Sequence, residues 1–517
     1  MRLDTLLAGH ALRRPDHTAL VFGATRLSYA QLNEGVRRVA AGLHRLGVRA
    51  GDRVLLFLPN GVEFVQAEYA VFALGAIAVP VNVRLTSGEV EHMFSDSQPC
   101  VAIFHAGGRA AVAAGLAHVP QCGRVVVGPV LEGETDFSGL LDGPDVDLPE
   151  VPPEPDDCMI MYTSGTTGKP KGAIITHANM IVQNVYMHSL EWDIGEGDRY
   201  LAINPLAHRA GCARLFNALG LGGTLVVMER FDAEKALELI QRERITVTGL
   251  VPTVIRMLLP FVRKDASRCA TLRKIIVSTE AFPVELKREV LELLPEAEIH
   301  SLFGSTEALV TNLGHAEQFS HPASVGRPLP GVEVRIVDDT GRDVPQGDVG
   351  ELLVRSGTPG RWATIRGYYK RPDATAEAIR NGWIHTGDMA RMDADAYLYI
   401  VDRKKDMVLS GGYNIYSKEV EQALGAHPDV SEAAVIGVPD PVYGESVAAF
   451  VILRSGAVVD AEQVIEHCRE RLAGYKKPKH VFFVDSLPRN TLGKVLKNDL
   501  REMAGKKLGA GKKLGGS

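Results

Sequence analysis

The sequence predicts an α/β protein in which doubly wound sheets build a large N-terminal part and a compact α+β segment follows. The first observation is length, because 517 residues are too many for one hydrophobic core and indicate two or three domains. The second is that apolar runs of strand length alternate with amphipathic helical stretches through most of residues 1–400. The third is a change around residues 317–360, where short strands and Gly/Pro turns indicate a β-rich subdomain or barrel.

The alternation of strands and helices is clearest in two stretches. Residues 53–59 are predicted as a strand, residues 62–74 as a helix and residues 78–81 as the next strand. Residues 233–242 are predicted as a helix that leads into a strand at 246–251. This order favours a doubly wound architecture with buried sheets.

The remaining elements set the expected domain boundaries. The β-rich stretch has strand patterns at 332–337 and 350–354, and the C-terminal segment has strands at 433–438, 447–453 and 481–484 and a helix at 461–472. We therefore expect an N-terminal domain at 1–401, a charged linker at 402–406 and a C-terminal domain at 407–504. Residues 505–517 repeat Gly and Lys with few large apolar residues, so we expect a disordered tail.

Composition excludes several classes of protein. The net charge of −6 provides no basic field for nucleic acid. The six cysteines form no Cys-x-x-Cys pair, which argues against a zinc site and a disulfide framework and is typical of a reducing compartment. The N-terminus lacks a signal-peptide pattern, and the uncharged stretch 69–83 is shorter than the ~20 residues that span a bilayer. We expect a cytoplasmic protein with no transmembrane segment; the oligomeric state, a homodimer included, is left open.

The most informative segment is Met161-Tyr-Thr-Ser-Gly-Thr-Thr-Gly-Lys-Pro-Lys-Gly172. It follows a short apolar run and combines hydroxyl side chains, glycines and two lysines. Such a loop can surround an anion with backbone N–H groups, hydroxyls and ammonium groups, so it is a candidate phosphate loop. The Walker spacing is absent, and Pro170 stands where a helix would begin. The alternative is a flexible surface turn.

This loop resembles the phosphate-loop signature of the adenylate-forming enzymes, which include acyl-CoA synthetases, aryl-CoA ligases, adenylation domains and luciferases. Further motifs of that superfamily recur in order along the chain. They are Phe303-Gly-Ser-Thr-Glu307, Gly382-Trp-Ile-His-Thr-Gly-Asp388, Asp402-Arg-Lys-Lys-Asp406 with the loop 410–415 after it, and Pro488-Arg-Asn-Thr-Leu-Gly-Lys494. The resemblance covers roughly residues 5–500.

The resemblance implies two doubly wound α/β subdomains and a β-barrel-like subdomain in the N-terminal domain, with a small mobile α+β C-terminal domain. It also implies a reaction. A carboxylate attacks the α-phosphorus of ATP to give an acyl adenylate, and the thiol of coenzyme A then displaces AMP. ATP, Mg2+, CoA and a small carboxylic acid, fatty or aromatic, are therefore the expected partners.

The resemblance also assigns the nucleotide site. The loop 163–171 would hold the β- and γ-phosphates, Thr306 would donate to the α-phosphate, and Glu307 offers a hard oxygen to Mg2+. Asp388 would accept hydrogen bonds from the ribose hydroxyls, and Arg403 would donate hydrogen bonds to the ribose or to a phosphate. The nucleotide-binding residues are Thr163, Ser164, Gly165, Thr166, Thr167, Gly168, Lys169, Ala281, Phe303, Gly304, Ser305, Asp388 and Arg403. The alternatives are a surface ion pair for Glu307 and a helix N-cap or turn for Asp388.

The resemblance also assigns roles to two lysines, one in catalysis and one at a hinge. Lys494 lies in the context Asn-Thr-Leu-Gly-Lys, which resembles the mobile catalytic lysine of these enzymes, and its ammonium can bridge the attacking carboxylate and the α-phosphate. An exposed surface lysine is the alternative. Lys405 aligns with the hinge position, about which the C-terminal domain would rotate between the two half-reactions.

The expected acid pocket departs from the pattern of these enzymes. His208 is present, as in many fatty-acid and aryl ligases, and is assigned to catalysis and to the pocket. Ala207 replaces a phenylalanine, Arg209 replaces an apolar residue, and Glu280 lies in the stretch that borders the pocket. Either the pocket is unusually polar, or Arg209 and Glu280 pair or point away.

Other functions stay open at this point. A stand-alone adenylation enzyme that loads a carrier-protein thiol would normally have an acidic residue in the region 205–216 to bind an α-amino group, and this chain has none there. No feature of the sequence supports a light-emitting relative. A nucleotide-binding protein without catalysis disagrees with the presence of Lys494, Glu307, Asp388 and the complete phosphate loop.

Overall fold

The computed structural model describes residues 1–142, 147–152, 154–163, 170–279, 282–489 and 495–512, with the backbone alone for 509–512. Backbone contacts group the chain into two compact units. The first unit comprises Met1–Val334, Val354–His385 and Ala396–Leu398, and the second comprises Arg335–Leu353, Thr386–Asp395 and the chain from Tyr399 onward.

Strands and helices alternate along the chain. The strands are β1 (Thr18–Phe22), β2 (Thr25–Ser28), β3 (Arg53–Phe57), β4 (Ile77–Pro80), β5 (Val101–His105), β6 (Gly123–Val127), β7 (Thr135–Asp136), β8 (Asp157–Thr163), β9 (Lys171–Thr176), β10 (Arg199–Ala202), β11 (Thr224–Val227), β12 (Val247–Leu250), β13 (Lys274–Val277), β14 (Glu298–Gly304), β15 (Leu309–Leu313), β16 (Arg327–Pro328), β17 (Glu333–Val337), β18 (Gly350–Arg355), β19 (Gly367–Tyr368), β20 (Ile379–Arg380), β21 (Trp383–Met392), β22 (Leu398–Arg403), β23 (Val408–Ser410), β24 (Tyr413–Ile415), β25 (Val430–Asp440), β26 (Gly444–Leu453) and β27 (His480–Phe483). The helices are α1 (Leu3–Arg13), α2 (Tyr29–Arg45), α3 (Val62–Ala73), α4 (Ser87–Ser97), α5 (Arg109–Ala117), α6 (Phe137–Leu141), α7 (His177–Ile181), α8 (His188–Trp192), α9 (Arg209–Leu221), α10 (Ala233–Arg242), α11 (Pro252–Val262), α12 (Val284–Leu293), α13 (Pro372–Ala378), α14 (Ser417–Gly425), α15 (Ala461–Arg469) and α16 (Lys497–Lys512), with a π-helical segment at Val182–Met187 and 3-10 turns at Ala106–Gly108, Ala266–Cys269 and His315–Glu317.

Two large sheets, both with parallel centres, organise the first unit. One has the strand order β16-β15-β14-β13-β12-β10-β11-β1-β2, and the other has the order β19-β9-β8-β4-β3-β5-β6-β7. Alternate residues of β3 enter different hydrophobic clusters: Val54 and Leu56 join the cluster that the two sheets share, and Leu55 and Phe57 join a cluster on the opposite face. Both faces of the sheet are therefore buried, which confirms the predicted doubly wound class.

Local sequence explains where the helices of this unit begin. At α2, the hydroxyl of Ser28 accepts from the backbone N–H of Gln31 at 3.3 Å, and the Gln31 side chain accepts from the Ser28 N–H at 2.9 Å. This reciprocal cap satisfies two N–H groups that have no partner within the helix.

The predicted apolar stretch 69–83 is helix α3 followed by β4, as expected. Of the helices that the structure describes, none combines the length and apolar character that crossing a bilayer needs.

The predicted β-rich stretch forms a sheet in the order β17-β18-β21-β20, with β22 paired to β21. The division between the two units passes through this sheet, since 335–353 and 386–395 group with the C-terminal residues. This differs from the linear boundary expected at 401/402. The physical reason is that antiparallel pairing joins segments distant in sequence, so a single cut along the chain does not separate the contacts.

The C-terminal part of the second unit is the predicted α+β segment. Its sheet has the order β24-β23-β26-β25, with β27 beside β26. The predicted disordered tail is wrong as far as residue 512, because α16 continues to Lys512. Leu500 and Ala504 are fully buried and Leu508 packs against the same cluster, so a four-residue spacing keeps one face of the helix on the sheet. Residues 513–517 lie outside the described part of the chain.

Candidate active site

The two ends of the predicted phosphate loop are fixed by a strand pair. Strands β8 and β9 run antiparallel with Thr163 opposite Lys171, and the Thr163 hydroxyl lies 3.5 Å from the Lys171 carbonyl oxygen. The two ends of the predicted loop therefore lie opposite each other in the sheet. The predicted phosphate ligands between them lie outside the described residues; they are Ser164, Gly165, Thr166, Thr167, Gly168 and Lys169.

Tyr368 connects this loop to the predicted metal ligand. Its hydroxyl donates to Glu307 Oε1 at 2.9 Å, and the Lys171 ammonium lies 5.4 Å from the centroid of its ring. Tyr368 is held there because β19 pairs with β9, with Tyr368 opposite Ala173. Burial and the neighbouring Glu307 raise the pKa of Tyr368, so it is a neutral donor at physiological pH. The Glu307 carboxylate therefore has a hydrogen-bond partner in Tyr368, and it has no ion pair among the described residues.

The end of β14 and the tight turn after it contain the residues 303–307. The Ser305 hydroxyl accepts from the backbone N–H of Glu307 at 3.1 Å and from that of Ala308 at 3.3 Å. A Cβ at Gly304 would lie 2.7 Å from the Ala308 carbonyl oxygen, so the close approach requires glycine. Phe303, Gly304 and Ser305 thus lead directly into the turn that carries Thr306 and Glu307.

The motif implies a magnesium ion, and the side chains around Glu307 show which donors could hold it. Within the described ranges, no group of three or more His, Cys, Asp and Glu side chains could hold a metal ion. A single carboxylate, Glu307, beside a phosphate loop instead fits Mg2+, which keeps several waters and binds through one or two carboxylates and substrate phosphates.

The second unit pairs the two predicted ribose ligands with each other. Arg403 Nε lies 2.8 Å from Asp388 Oδ1, and Arg403 Nη1 donates to the Thr386 carbonyl at 3.3 Å. The Asp388 N–H donates to the Thr386 hydroxyl at 3.0 Å. Asp388 is 5% exposed and lies inside β21, so the helix N-cap interpretation is wrong.

The predicted hinge is a turn that the last helix holds in place. Strand β22 ends at Arg403, and the N–H of Asp406 donates to the Arg403 carbonyl at 2.9 Å. Arg501 of α16 donates to the Lys405 carbonyl and to Asp406 Oδ1, both at 3.2 Å. All of these residues belong to the second unit. Rotation about Lys405 stays a prediction.

Lys494 lies outside the described residues. The residues on either side of its segment, Arg489 and Val495, form an antiparallel bridge, and the N–H of Leu496 donates to the Pro488 carbonyl at 2.8 Å. The described residues on the two sides of the predicted catalytic lysine therefore lie close together.

The predicted acid pocket begins at the N-terminus of α9. His208 caps this helix, with Nδ1 accepting from the Ala210 N–H at 3.3 Å. Burial, with a smaller effect of the Arg209 charge, lowers the pKa of His208 to about 4, so its ring is neutral at pH 7. A Cβ at Gly211 would lie 1.9 Å from the Pro205 carbonyl oxygen, which fixes the helix against the preceding loop.

The two charged residues predicted for the pocket have different outcomes. Arg209 Nη1 lies 3.2 Å from Met180 Sδ and 4.0 Å from Cys212 Sγ. Glu280, like the predicted nucleotide ligand Ala281, lies outside the described residues, so its pairing with Arg209 stays open. The structure adds Arg214, a buried arginine of α9 that sequence reasoning missed. A lone charge within the apolar helical run 211–221 was the signal that could have identified it.

Comparison with family models matches the chain twice. The model described as AMP-binding enzyme matches residues 7–369, and the model described as AMP-binding enzyme C-terminal domain matches residues 419–494. Together the two matches include the phosphate loop, the 303–307 turn and the segment that ends at Lys494.

Curated proteins and solved structures agree with these matches. The chain is 38% identical over 499 residues to a feruloyl-CoA synthase from Amycolatopsis sp, covering 95% of this chain and 96% of that protein. It is 35% identical over 517 residues to the indoleacetate–CoA ligase of Aromatoleum aromaticum, covering 98% and 99%. The crystal structure of ATP-bound MatB from Rhodopseudomonas palustris superposes with a TM-score of 0.87 at 32% identity, covering 97% of this chain and 99% of that one.

Proposed function

Because the chain belongs to the family of AMP-binding enzymes and is an acid:CoA ligase, we propose that it activates a carboxylic acid with ATP as an acyl adenylate and then transfers the acyl group to the thiol of CoA. The products are acyl-CoA, AMP and diphosphate. The observation that carries this proposal is the hydrogen bond between Tyr368 and Glu307, with Lys171 beside the same tyrosine, because it supports the assignment of Glu307 to Mg2+ at one end of the proposed phosphate loop.

The first half-reaction needs charge to be neutralised at the α-phosphorus while water is excluded. We assign the triphosphate to the loop 163–171 and the α-phosphate to Thr306. Glu307 would hold Mg2+, which supplies positive charge to the phosphate oxygens when it is bound. Tyr368 orients Glu307 through its hydroxyl, as partners of metal-binding carboxylates do.

In the second unit, we assign the ribose to Asp388 and Arg403. The guanidinium fixes the position of the carboxylate, and a carboxylate suits the two hydroxyl donors of a ribose diol. Lys494 is proposed to bridge the attacking carboxylate and the α-phosphate. Lys405 is proposed as the hinge that then removes Lys494 from the centre, so that the thiol can approach.

The acid is proposed to bind beside His208, which as a neutral imidazole does not compete with Lys494 for the carboxylate charge. The relatives are named for acids of different kinds, ferulate, indoleacetate and long-chain fatty acids among them. Both fatty and aromatic acids are therefore proposed at the level of class.

Product analysis tests the proposed reaction. Purified enzyme is given ATP, Mg2+ and a panel of aromatic, fatty and dicarboxylic acids, with and without CoA, and nucleotides, diphosphate and thioesters are quantified. We expect AMP, diphosphate and acyl-CoA in equal amounts, with turnover dependent on CoA. ADP and orthophosphate would contradict the proposal. Adenylate formation without any acyl-CoA would instead favour the carrier-protein alternative.

A further inference from the structure

Arg214 of α9 is a buried cation whose described surroundings supply no counter-ion. Arg214 is only 3% exposed. Its Nε and Nη1 atoms are buried and have no hydrogen-bond partner among the described residues. Unpaired charge is costly inside a protein, so a buried guanidinium normally has a carboxylate or phosphate partner.

The side chain nevertheless sits in a defined position. Its Cζ lies 5.1 Å from the centroid of the Trp192 ring, and a Cβ at Gly249 would touch its Cδ at 3.5 Å. Trp192 is itself fixed, because its Nε1 donates to Asn312 Oδ1 at 3.1 Å. Burial lowers the pKa of Arg214 to about 10, so it stays protonated at neutral pH. The two other groups that act on this pKa, Tyr200 and Cys212, are both neutral at that pH.

A second hydrogen-bond donor, the His188 ring, lies beside Trp192. The His188 ring stacks on Trp192 at 3.9 Å between centroids, and its Nδ1 lies 3.1 Å from Nδ2 of Asn217. Since an amide nitrogen only donates, Nδ1 accepts, and the proton of the neutral ring is on Nε2, which is buried without a described partner. Burial, followed by the charges of Arg214 and Arg209, lowers the pKa of His188, so the ring is neutral. The π-helical segment Val182–Met187 immediately precedes His188, and such segments are frequent at functional sites.

Arg214 and the proposed reaction centre share one helix. His208 caps α9, and Arg214 lies six residues further along it. At 1.5 Å per residue this is about 9 Å along the helix axis. Side chains of a helix lean toward its N-terminus, which brings the guanidinium nearer to the His208 end. A substrate that reacts beside His208 can therefore reach Arg214 with its far end if it spans less than about 9 Å.

We propose that Arg214, assisted by His188, forms an anion subsite at the far end of the acid pocket, and that the substrate is a dicarboxylic acid. This inference rests on the proposed function. An oxygen of one carboxylate attacks the α-phosphorus of ATP and displaces diphosphate, and the thiol then attacks the acyl carbon and displaces AMP, which keeps that oxygen. The other carboxylate stays ionised against Arg214. The product is the mono-CoA thioester of the diacid, together with AMP and diphosphate. A neutral carbonyl or hydroxyl at this place would accept a hydrogen bond but leave the buried charge uncompensated.

Matched acids test the subsite. The probes are glutarate, adipate, pimelate, suberate and terephthalate, each compared with its monomethyl ester, which has the same length and lacks the second charge. We expect the wild-type kcat/KM for the best diacid to exceed that for its half-ester by about 100-fold, as loss of one partner of a buried charge pair implies. Arg214→Met should remove this preference by lowering the value for the diacid and sparing the half-ester. Arg214→Lys should keep part of it.

A matched control and a binding measurement make the test decisive. Arg263→Met removes an exposed arginine that directly follows α11 and pairs with Glu289, and should leave the ratio of diacid to half-ester unchanged. Calorimetric titration of the same diacids without ATP should give binding to wild type and none to Arg214→Met. If no acid yields acyl-CoA but this binding difference persists, the reaction is wrong and the subsite stands. A half-ester preferred by wild type, or equal losses for both acids in Arg214→Met and Arg214→Lys, would overturn the subsite.

Discussion

Arg403 Nε lies 2.8 Å from Asp388 Oδ1, so the two side chains assigned to the ribose are bonded to each other within the second unit. Asp388 is buried in β21 and Arg403 is the last residue of β22. The pair is therefore positioned by backbone pairing of the sheet rather than by a flexible loop. A nucleotide that binds Asp388 would meet a carboxylate whose orientation is already fixed.

The first prediction concerns this pair. Asp388→Asn should raise KM for ATP by about 10- to 100-fold, since it removes the charge that is proposed to bind the ribose and that orients Arg403. Steady-state kinetics of Asp388→Asn, Arg403→Gln and the double variant measure the coupling between the two side chains. The double variant should raise KM for ATP by less than the product of the two single-variant factors. Asp393→Asn, which alters a carboxylate bonded to Tyr399, is the control. Fully independent effects would contradict the pairing as a functional unit.

The second prediction concerns Tyr368 and magnesium. Tyr368→Phe removes the hydroxyl that donates to Glu307 at 2.9 Å while keeping the ring beside Lys171. The Mg2+ concentration that gives half-maximal activity should rise about 10-fold, the usual cost of losing a partner that orients a metal ligand. Tyr369→Phe is the control at the next position. An unchanged magnesium dependence in Tyr368→Phe would show that the hydroxyl does not orient a metal ligand.

The third prediction separates the half-reactions at Lys494. Lys494→Ala should lower the rate of adenylate formation by about 100- to 1,000-fold, as loss of one oriented charge-stabilising donor does. Conversion of preformed acyl adenylate and CoA into acyl-CoA should change much less. Lys506→Ala, at an exposed position of α16, serves as the control. Equal losses in both half-reactions would show that Lys494 has a structural role.

The fourth prediction is a pH dependence of stability that arises from Glu68. This residue of α3 is fully buried with both carboxylate oxygens unpartnered among the described residues, and burial raises its pKa to about 8. Because the folded pKa is above the unfolded value of 4.5, the folded state binds the additional proton between these values. The contribution to stability is thus complete below pH 4.5 and is lost as the pH rises through 8.

Thermal unfolding of Glu68→Gln between pH 5 and pH 9 measures this contribution. The variant keeps the shape of the neutral acid, so its Tm should match wild type near pH 5 and exceed it by several degrees at pH 9. Glu34→Gln, which alters an exposed carboxylate paired with Arg38, should follow the wild-type profile. Identical pH profiles for wild type and Glu68→Gln would contradict a buried neutral acid.

Local patterns were sufficient to predict most of the fold. The apolar run that begins at Arg53 is strand β3, and the stretch 62–74 is helix α3, because burial on both faces of a sheet and a helical repeat leave direct traces in the sequence. The helix at 505–512 was missed because its composition is that of a disordered tail. Its order depends on a neighbouring sheet, against which Leu500 and Ala504 are buried.

Parts of the candidate site depend on contacts that no local pattern records. Tyr368 lies 61 residues from Glu307, and only the pairing of β19 with β9 brings it to that carboxylate. Arg214 was overlooked because its surroundings come from distant segments, with Trp192 on α8 and Gly249 on β12. The sequence motifs assigned candidate nucleotide-binding residues by resemblance, but did not predict that Asp388 and Arg403 bind each other.

Oxygen transfer from the acid to AMP tests the adenylate mechanism most directly. The enzyme is given ATP, Mg2+, CoA and an accepted acid labelled with 18O at its reacting carboxyl group, and the nucleotide product is analysed by mass spectrometry. Attack of the carboxylate on the α-phosphorus, followed by cleavage of the acyl carbon–oxygen bond by the thiol, leaves a labelled oxygen on AMP. We predict AMP that contains one 18O atom and diphosphate that contains none. Unlabelled AMP, or label recovered in diphosphate or orthophosphate, would contradict an acyl-adenylate intermediate.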